Sequence, residues 1–354
     1  MATKPKVLFI LKRREDYSST NHKPEGLSTG LYNSAKYVKD MLYASWLDAE
    51  MEVAIDNNCI DRLVTKHKPS HVIIEALWVT PAKFAELIPL HPTVKWIVRL
   101  HSEMPFMAGE GMAMNWLGDY ISFPQISIGV NAPRMLSEVR EYLGTRNNWN
   151  KKQVRERVVY LPNYYPQLYN LKEFNRKKEH IDIACFGAIR PLKNHLLQAF
   201  AALKFANKIG KKLRFHINGS RLEMKGDPIL HNLKGMFEQL AGTGHELIIH
   251  EWAAREDFLK LCAQMDIGLQ CNFSETFNIV SADLISQGVP IIGSKEIPWS
   301  SCFYNADPAS SNSICNALLK TFYTAKYNIK LNQKNLTKYT CKTRKTWLQY
   351  FNIK

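Results

Sequence analysis

Two stretches of this sequence combine residue types and spacings able to handle a phosphate-bearing ligand. The first is Ser274-Glu275-Thr276-Phe277-Asn278-Ile279-Val280, followed by Asp283 and then Gly288-Val289-Pro290-Ile291-Ile292. It sets two carboxylates, Glu275 and Asp283, on either side of a predicted helix start, with small and polar residues between them. The backbone N–H groups of Asn278, Ile279 and the residues after them are unpaired there, and the helix dipole adds to their attraction for phosphate. The second stretch is Phe186-Gly187-Ala188-Ile189-Arg190-Pro191-Leu192-Lys193-Asn194. Gly187 allows a tight turn and close backbone approach. Beyond it, Arg190 and Lys193 can clamp a diphosphate, the arginine through paired hydrogen bonds. Cations fixed against a leaving diphosphate stabilise its growing charge in the transition state more than in the ground state. The plain alternatives are surface residues at Arg190 and Lys193, a helix-start charge at Glu275 worth about 0.3–1 kcal/mol, and a solvent-facing Asp283.

These loops need a scaffold of strands and helices. Lys6–Leu11, Val72–Glu75, Lys95–Leu100, Ile126–Val130 and Val158–Leu161 read as apolar strands. Helical stretches Ser28–Leu47 and Pro81–Leu87 lie among them. After the Pro162-Asn163-Tyr164-Tyr165-Pro166 break and a charged run to His180, the rhythm restarts. Strands at Ile181–Phe186, Leu213–Ile217, Glu246–His250, Ile267–Gln270 and Pro290–Gly293 alternate with helices Asn194–Lys208, Leu230–Leu240, Arg255–Met265 and Asn278–Gln287. Apolar strands alternating with helices predict parallel sheets covered on both faces. The expected class is α/β, with two Rossmann-like doubly wound domains facing across a cleft. The expected boundaries are 1–162, a linker 163–180, 181–330, and a helical segment 331–354 crossing back to the first domain.

Composition narrows the class. A chain of 354 residues, 45% hydrophobic and 22% charged, is long enough for two ordinary cores. Seven dispersed cysteines without CxxC spacing argue against a disulfide scaffold or a structural zinc site and point to a reducing, cytoplasmic compartment (host cytoplasm if viral). No apolar run reaches the roughly 18 residues of a membrane span. The net charge is +15, and Pro308 to Lys354 holds nine Lys/Arg and no Asp or Glu. Such a field suits polyanionic partners: nucleic acid, anionic glycan or lipid. A well-solvated basic surface is the alternative.

The second half resembles the nucleotide domain of the GT-B retaining glycosyltransferases. The likeness is to the large glycosyltransferase group 1, family 4-like set related to sucrose and glycogen synthases and bacterial lipopolysaccharide mannosyltransferases. Three signatures carry it, from about residue 158 to 293: Val159-Tyr160-Leu161-Pro162-Asn163, the Gly187–Lys193 loop, and Glu275 to Asp283 with the Gly288–Ile292 strand behind it. The chain departs from the pattern twice. Asp283 stands where the family has a second glutamate, and Tyr164 replaces the glycine of its Pro-Asn-Gly turn.

The resemblance implies a hexosyl- or pentosyltransferase using a UDP- or GDP-linked sugar and reacting with retention. The chain has no HExxH, Walker Lys-Thr pair or acid cluster at metal spacing, so a grip on the diphosphate without metal is self-consistent. It implies a diphosphate grip by Arg190 and Lys193, a ribose contact for Asp283, and a donor-sugar contact for Glu275. His101, after the strand Lys95–Leu100, matches the family histidine near the donor sugar, with Glu103 a competing candidate. Gly26, Ser28 and Gly30 would let the first loop approach the diphosphate, and Lys12, Arg13 and Arg14 could touch a phosphate or an acceptor. A modified DNA base or a glycan fits the basic charge as acceptor. The competing readings are a nucleotide-sugar epimerase or phosphorylase, and a nucleic-acid-binding protein on a transferase-like scaffold.

Overall fold

A computed structural model describes residues 4–13, 30–170 and 172–353. These fall into two compact units: residues 4–13, 30–166 and 340–353 form the first, and the described residues of 167–339 the second.

The first unit is built on β1 (Lys6–Lys12), β2 (Asp48–Ala54), β3 (His71–Glu75), β4 (Lys95–Leu100), β5 (Ile126–Val130) and β6 (Val158–Tyr160). They form one parallel sheet in the order β2-β1-β3-β4-β5-β6. Between them run α1 (Gly30–Tyr43), α2 (Cys59–His67), α3 (Pro81–Leu90), α4 (Met104–Met107), α5 (Ala113–Tyr120), α6 (Pro133–Asn147) and α7 (Lys151–Arg157). The central strands are apolar on both faces because both are covered. Leu8, Ile10, Val72, Ile74, Trp96 and Val98 pack on one side, and Val7, Phe9, Ile73 and Ile97 on the other against Trp347 and Phe351.

The second unit repeats the plan with β7 (His180–Ala184), β8 (Lys212–Asn218), β9 (Glu246–His250), β10 (Ile267–Gln270) and β11 (Ile291–Gly293), in the order β11-β10-β7-β8-β9. Its pairings are also parallel. Its helices are α8 (His195–Lys208), α9 (Gly226–Glu238), α10 (Arg255–Gln264), α11 (Ile279–Ser286) and the part of α12 (Ser311–Tyr350) up to residue 339; α12 is kinked at Thr324, and its residues from 340 on belong to the first unit. With parallel strands, the C-terminal ends of each sheet share one edge, and the loops leaving that edge carry the candidate residues.

The strands expected in the sequence are present, and β2 is added to them. The expected helix to Leu47 stops at Tyr43, and the chain turns through Trp46 at φ 68° into β2. This edge strand, Asp-Ala-Glu-Met-Glu-Val-Ala, is buried at only two positions, so it lacks the apolar run that marks the central strands. The sequence pattern also gave no sign of the α2, α4, α5, α6 and α7 helices. No helix among the described residues is long and apolar enough to cross a membrane.

Candidate functional site

In the second unit the chain leaves β7 through Gly187 at φ +116°, a conformation that L side chains rarely adopt. The Gly187 N–H donates to Asn218 Oδ1 at 3.0 Å at the end of the neighbouring β8. Ile189 then exchanges backbone hydrogen bonds with Arg221 and Glu223, which sets the direction of Arg190. Arg190 Nη1 lies 2.9 Å from Glu223 Oε2. A short 3-10 turn, Pro191–Lys193, follows, and Asn194 at φ 58° starts α8 while its side chain donates to the Cys271 and Pro308 carbonyls.

The acidic loop sits against this turn. The Phe273 N–H donates to the Leu192 carbonyl at 3.0 Å, tying the two loops together. The Lys193 ammonium donates to Glu275 Oε1, which also accepts from Asn272 Nδ2 at 2.8 Å. Phe277 is buried between Trp299 and Tyr339, and its carbonyl accepts the Trp299 indole N–H. Asn278 adopts φ 58° and caps α11 by accepting from the Ser281 N–H at 2.8 Å. Its amide donates to Gln270 Oε1, and Gln270 donates in turn to the Phe186 carbonyl. Ile279 is the first residue of α11.

Sequence-predicted residues therefore converge in one place: Gly187, Arg190, Lys193, Glu275, Phe277, Asn278 and Ile279 share the two linked loops. Behind the cations, His195 opens α8 fully buried; burial first, then Lys193 and Arg190, pushes its imidazole down to about 3, so the ring is neutral. The loop thus gathers cationic side chains around an uncharged base.

Asp283 does not face solvent. It is 1% exposed and grips Arg255 from α10 with both carboxylate oxygens, one pair at 2.5 Å. This arginine, which did not stand out in the sequence, partners the short acid. After α11, Gly288 turns at φ +72° where a Cβ would stand 2.9 Å from the Asn170 carbonyl, so that turn has no room for a side chain.

His101 belongs to the first unit, just beyond β4. Its Nε2 meets the Glu75 carboxylate at the end of β3, and its Nδ1 lies 3.4 Å from Asn131 Nδ2. Arg99, fully buried, donates to both Glu75 oxygens at 3.0 and 3.1 Å, to the Leu161 carbonyl at 2.9 Å and to Asn163 Oδ1 at 2.5 Å. Its guanidinium stacks over Trp347. Burial alone would raise the Glu75 pKa, but Arg99 and His101 outweigh it and hold the carboxyl below its ordinary range. Glu75 and Arg99 also escaped the sequence reading, although a charged residue inside or ending an apolar parallel strand is the signal that finds them.

Glu103 is 3% exposed and pairs with Arg134. Lys12 and Arg13 are exposed at the end of β1, and Gly30 opens α1. Gly26, Ser28 and Arg14 lie outside the described residues. Tyr164, in place of the family glycine, needs no left-handed backbone and packs its ring against the Phe9–Trp347 cluster. The seven cysteines are free thiols, and the described residues contain no group of three or more His, Cys, Asp or Glu able to hold a metal.

Several solved structures share this fold. The sucrose-phosphate synthase of Thermosynechococcus elongatus superposes with TM-score 0.67 at 12% identity, over 98% of each chain. A UDP-forming trehalose-phosphate synthase from Burkholderia xenovorans, solved with glucose-6-phosphate, superposes with TM-score 0.66 at 10% identity, over 98% of this chain and 100% of that one. A TarM mutant from S. aureus, in complex with fondaparinux, alpha-GlcNAc-glycerol and UDP, gives TM-score 0.61 at 12% identity over 84% of this chain; the match spans 58% of TarM's length. No family model and no curated protein matches the chain in sequence. At these identities the likeness shows the fold: two Rossmann-like α/β units of the kind found in GT-B glycosyltransferases.

Proposed function

We propose that this protein transfers a sugar from a nucleoside-diphosphate sugar to an acceptor, with retention of configuration. The observation that carries the reading is the joining of Arg190, Lys193, Glu275 and the capped start of α11 in two hydrogen-bonded loops at the C-terminal edge of the second sheet. In this reading the donor diphosphate takes Arg190 and Lys193 from their carboxylate partners, so that cations held in place by Glu223 and Glu275 are already oriented when the ligand arrives. The freed Glu275 then faces the donor sugar as a hydrogen-bond acceptor. Asp283, a carboxylate with lone pairs beyond those used by Arg255, is the candidate for the ribose hydroxyls. His101, locked by Glu75 and Arg99, is an imidazole of fixed orientation suited to a sugar-facing role. The nucleotide is UDP or GDP, gripped by Arg190, Lys193 and the N–H groups at the start of α11. The basic surface favours a polyanionic acceptor, modified DNA or an anionic glycan.

A panel of UDP- and GDP-sugars tests the reading through protection against thermal unfolding and through donor hydrolysis. One nucleotide family is expected to protect, and Arg190→Ala combined with Lys193→Ala is expected to abolish the protection. If no nucleotide or nucleotide sugar shifts the melting of the wild type, the transferase reading fails.

A further inference from the structure

Four lysines on α12 have no part in the site described above. They recur at every fourth position, Lys326, Lys330, Lys334 and Lys338, and each is exposed. None of the four takes part in an ion pair among the described residues. Like charges at this spacing repel one another along a helix, and an ordinary solvated face interleaves acids to relieve it.

The rotation of α12 is fixed by hydrogen bonds. Asn328 donates to the Ile291 carbonyl at 2.8 Å and accepts from the Ile291 N–H at 3.0 Å, capping the outer edge of β11 as a neighbouring strand would. Asn332 accepts from the Ser301 N–H at 2.8 Å. The buried row Asn328, Asn332 and Leu336 lies two positions from Lys326, Lys330 and Lys334, about 200° around the helix, so the lysines point directly away from the seam. Tyr323 and Tyr327, 65% and 73% exposed, stand three residues before Lys326 and Lys330 and flank the ladder.

We propose that this face of α12 binds the sugar-phosphate backbone of a polynucleotide. The apolar side of the helix is already buried against its own unit through Phe322, Ala325 and Leu336, so none of it remains to enter a lipid layer. What it presents is a row of point charges about 6 Å apart beside two phenol rings, on a protein of net charge +15. Lysines contact phosphates without reading bases, so the binding is sequence-independent. The surface is independent of the donor reading and would supply that enzyme with a means of holding a nucleic-acid acceptor.

The test measures binding of the full chain to a short mixed-sequence DNA duplex across a salt series. The variant carries Lys326→Gln, Lys330→Gln, Lys334→Gln and Lys338→Gln together. Loss of the ladder is expected to reduce the slope of log K against log salt by about 3 to 4, whereas the four matching Lys→Arg changes preserve it. The unfolding temperature should not fall in the glutamine variant, since relief of like-charge repulsion favours the helix, and nucleotide protection should be unaltered, which separates a lost surface from a lost fold. The proposal is overturned if the wild type does not bind the duplex, if the glutamine variant binds with unchanged affinity and slope, or if ladder-dependent binding occurs to phosphatidylserine vesicles and not to DNA. Duplex binding lost with the ladder, in a protein that no nucleotide sugar protects, would sink the transferase reading and leave this one standing.

Discussion

The two units use charge in opposite ways at corresponding sheet edges. In the first, Glu75 and Arg99 are fully buried, with His101, Asn163, the Leu161 carbonyl and the Trp347 ring as partners. In the second, Arg190 and Glu223 keep 22% and 20% of their side-chain surface, and Lys193 and Glu275 keep 12% and 9%. A sealed pair holds a neighbouring side chain still; a pair open at its rim can exchange one partner for an incoming anion. Under the proposed function, the difference suits the first unit to rigidity and the second to ligand exchange.

The sharpest way to break that contrast is Glu75→Gln. It leaves the Arg99 guanidinium buried without a counter-charge, and removal of one member of such a pair costs about 3–5 kcal/mol. Denaturant unfolding of the intact chain measures it. The pH dependence has a definite sign. Because the folded Glu75 pKa lies below the usual 4.5, its contribution is complete above that value and is lost as pH falls through the lower folded one. Wild-type stability should therefore decline on acidification below 4.5, and the glutamine variant should lack that part of the decline. A cost under about 1 kcal/mol would mean that the first site behaves like an exposed pair.

Arg190→Ala with Lys193→Ala should show the reverse pattern. Two charge-assisted contacts to phosphate, each worth about 1.5–3 kcal/mol, predict a loss of nucleoside-diphosphate affinity of about 100-fold or more, read by calorimetry. Stability should fall by less than in Glu75→Gln, since these pairs remain partly solvated. A variant that unfolds while its residual folded fraction binds nucleotide normally would make these cations structural and erase the distinction between the units.

Asp283 falls between the two cases, nearly sealed itself but paired with an Arg255 that is 20% exposed. Lengthening the acid, Asp283→Glu, adds a methylene where the carboxylate already meets the guanidinium, and overpacking of this kind costs about 1–3 kcal/mol. An unchanged melting temperature would show that Arg255 gives way, placing this pair with the exchangeable ones.

The sequence revealed these sites unevenly, for physical reasons. Central strands such as Val7–Leu11 and Ile181–Ala184 are covered on both faces, so they read as apolar runs; β2 is an edge strand and reads as an acidic alternation. Gly187, Arg190, Lys193 and Glu275 stood out because loop punctuation and phosphate chemistry coincide within a few residues. Their partners did not, because Glu223 lies 33 residues from Arg190 and Arg255 lies 28 from Asp283. Only the strand order brings those pairs together, and one-dimensional spacing does not contain it. Asp283 shows the same limit: its position in the motif was readable, but its burial against α10 was not.

The smallest expected effect isolates the helix start itself. Asn278 contributes three things at once: a side-chain cap to the Ser281 N–H, a bond to Gln270, and tolerance of φ 58°. Asn278→Ala removes all three and should cost about 1–2 kcal/mol, the usual value of a lost cap together with some left-handed strain. Asn278→Gly loses both side-chain bonds but is at ease at that φ, so it should be the milder change by several tenths of a kcal/mol. If the two variants melt alike, the backbone strain contributes nothing. If glycine keeps the stability yet still weakens nucleotide binding, the Asn278 side chain acts on the ligand through the orientation of the α11 N–H groups, and the open character of the second site extends from its cations to its helix.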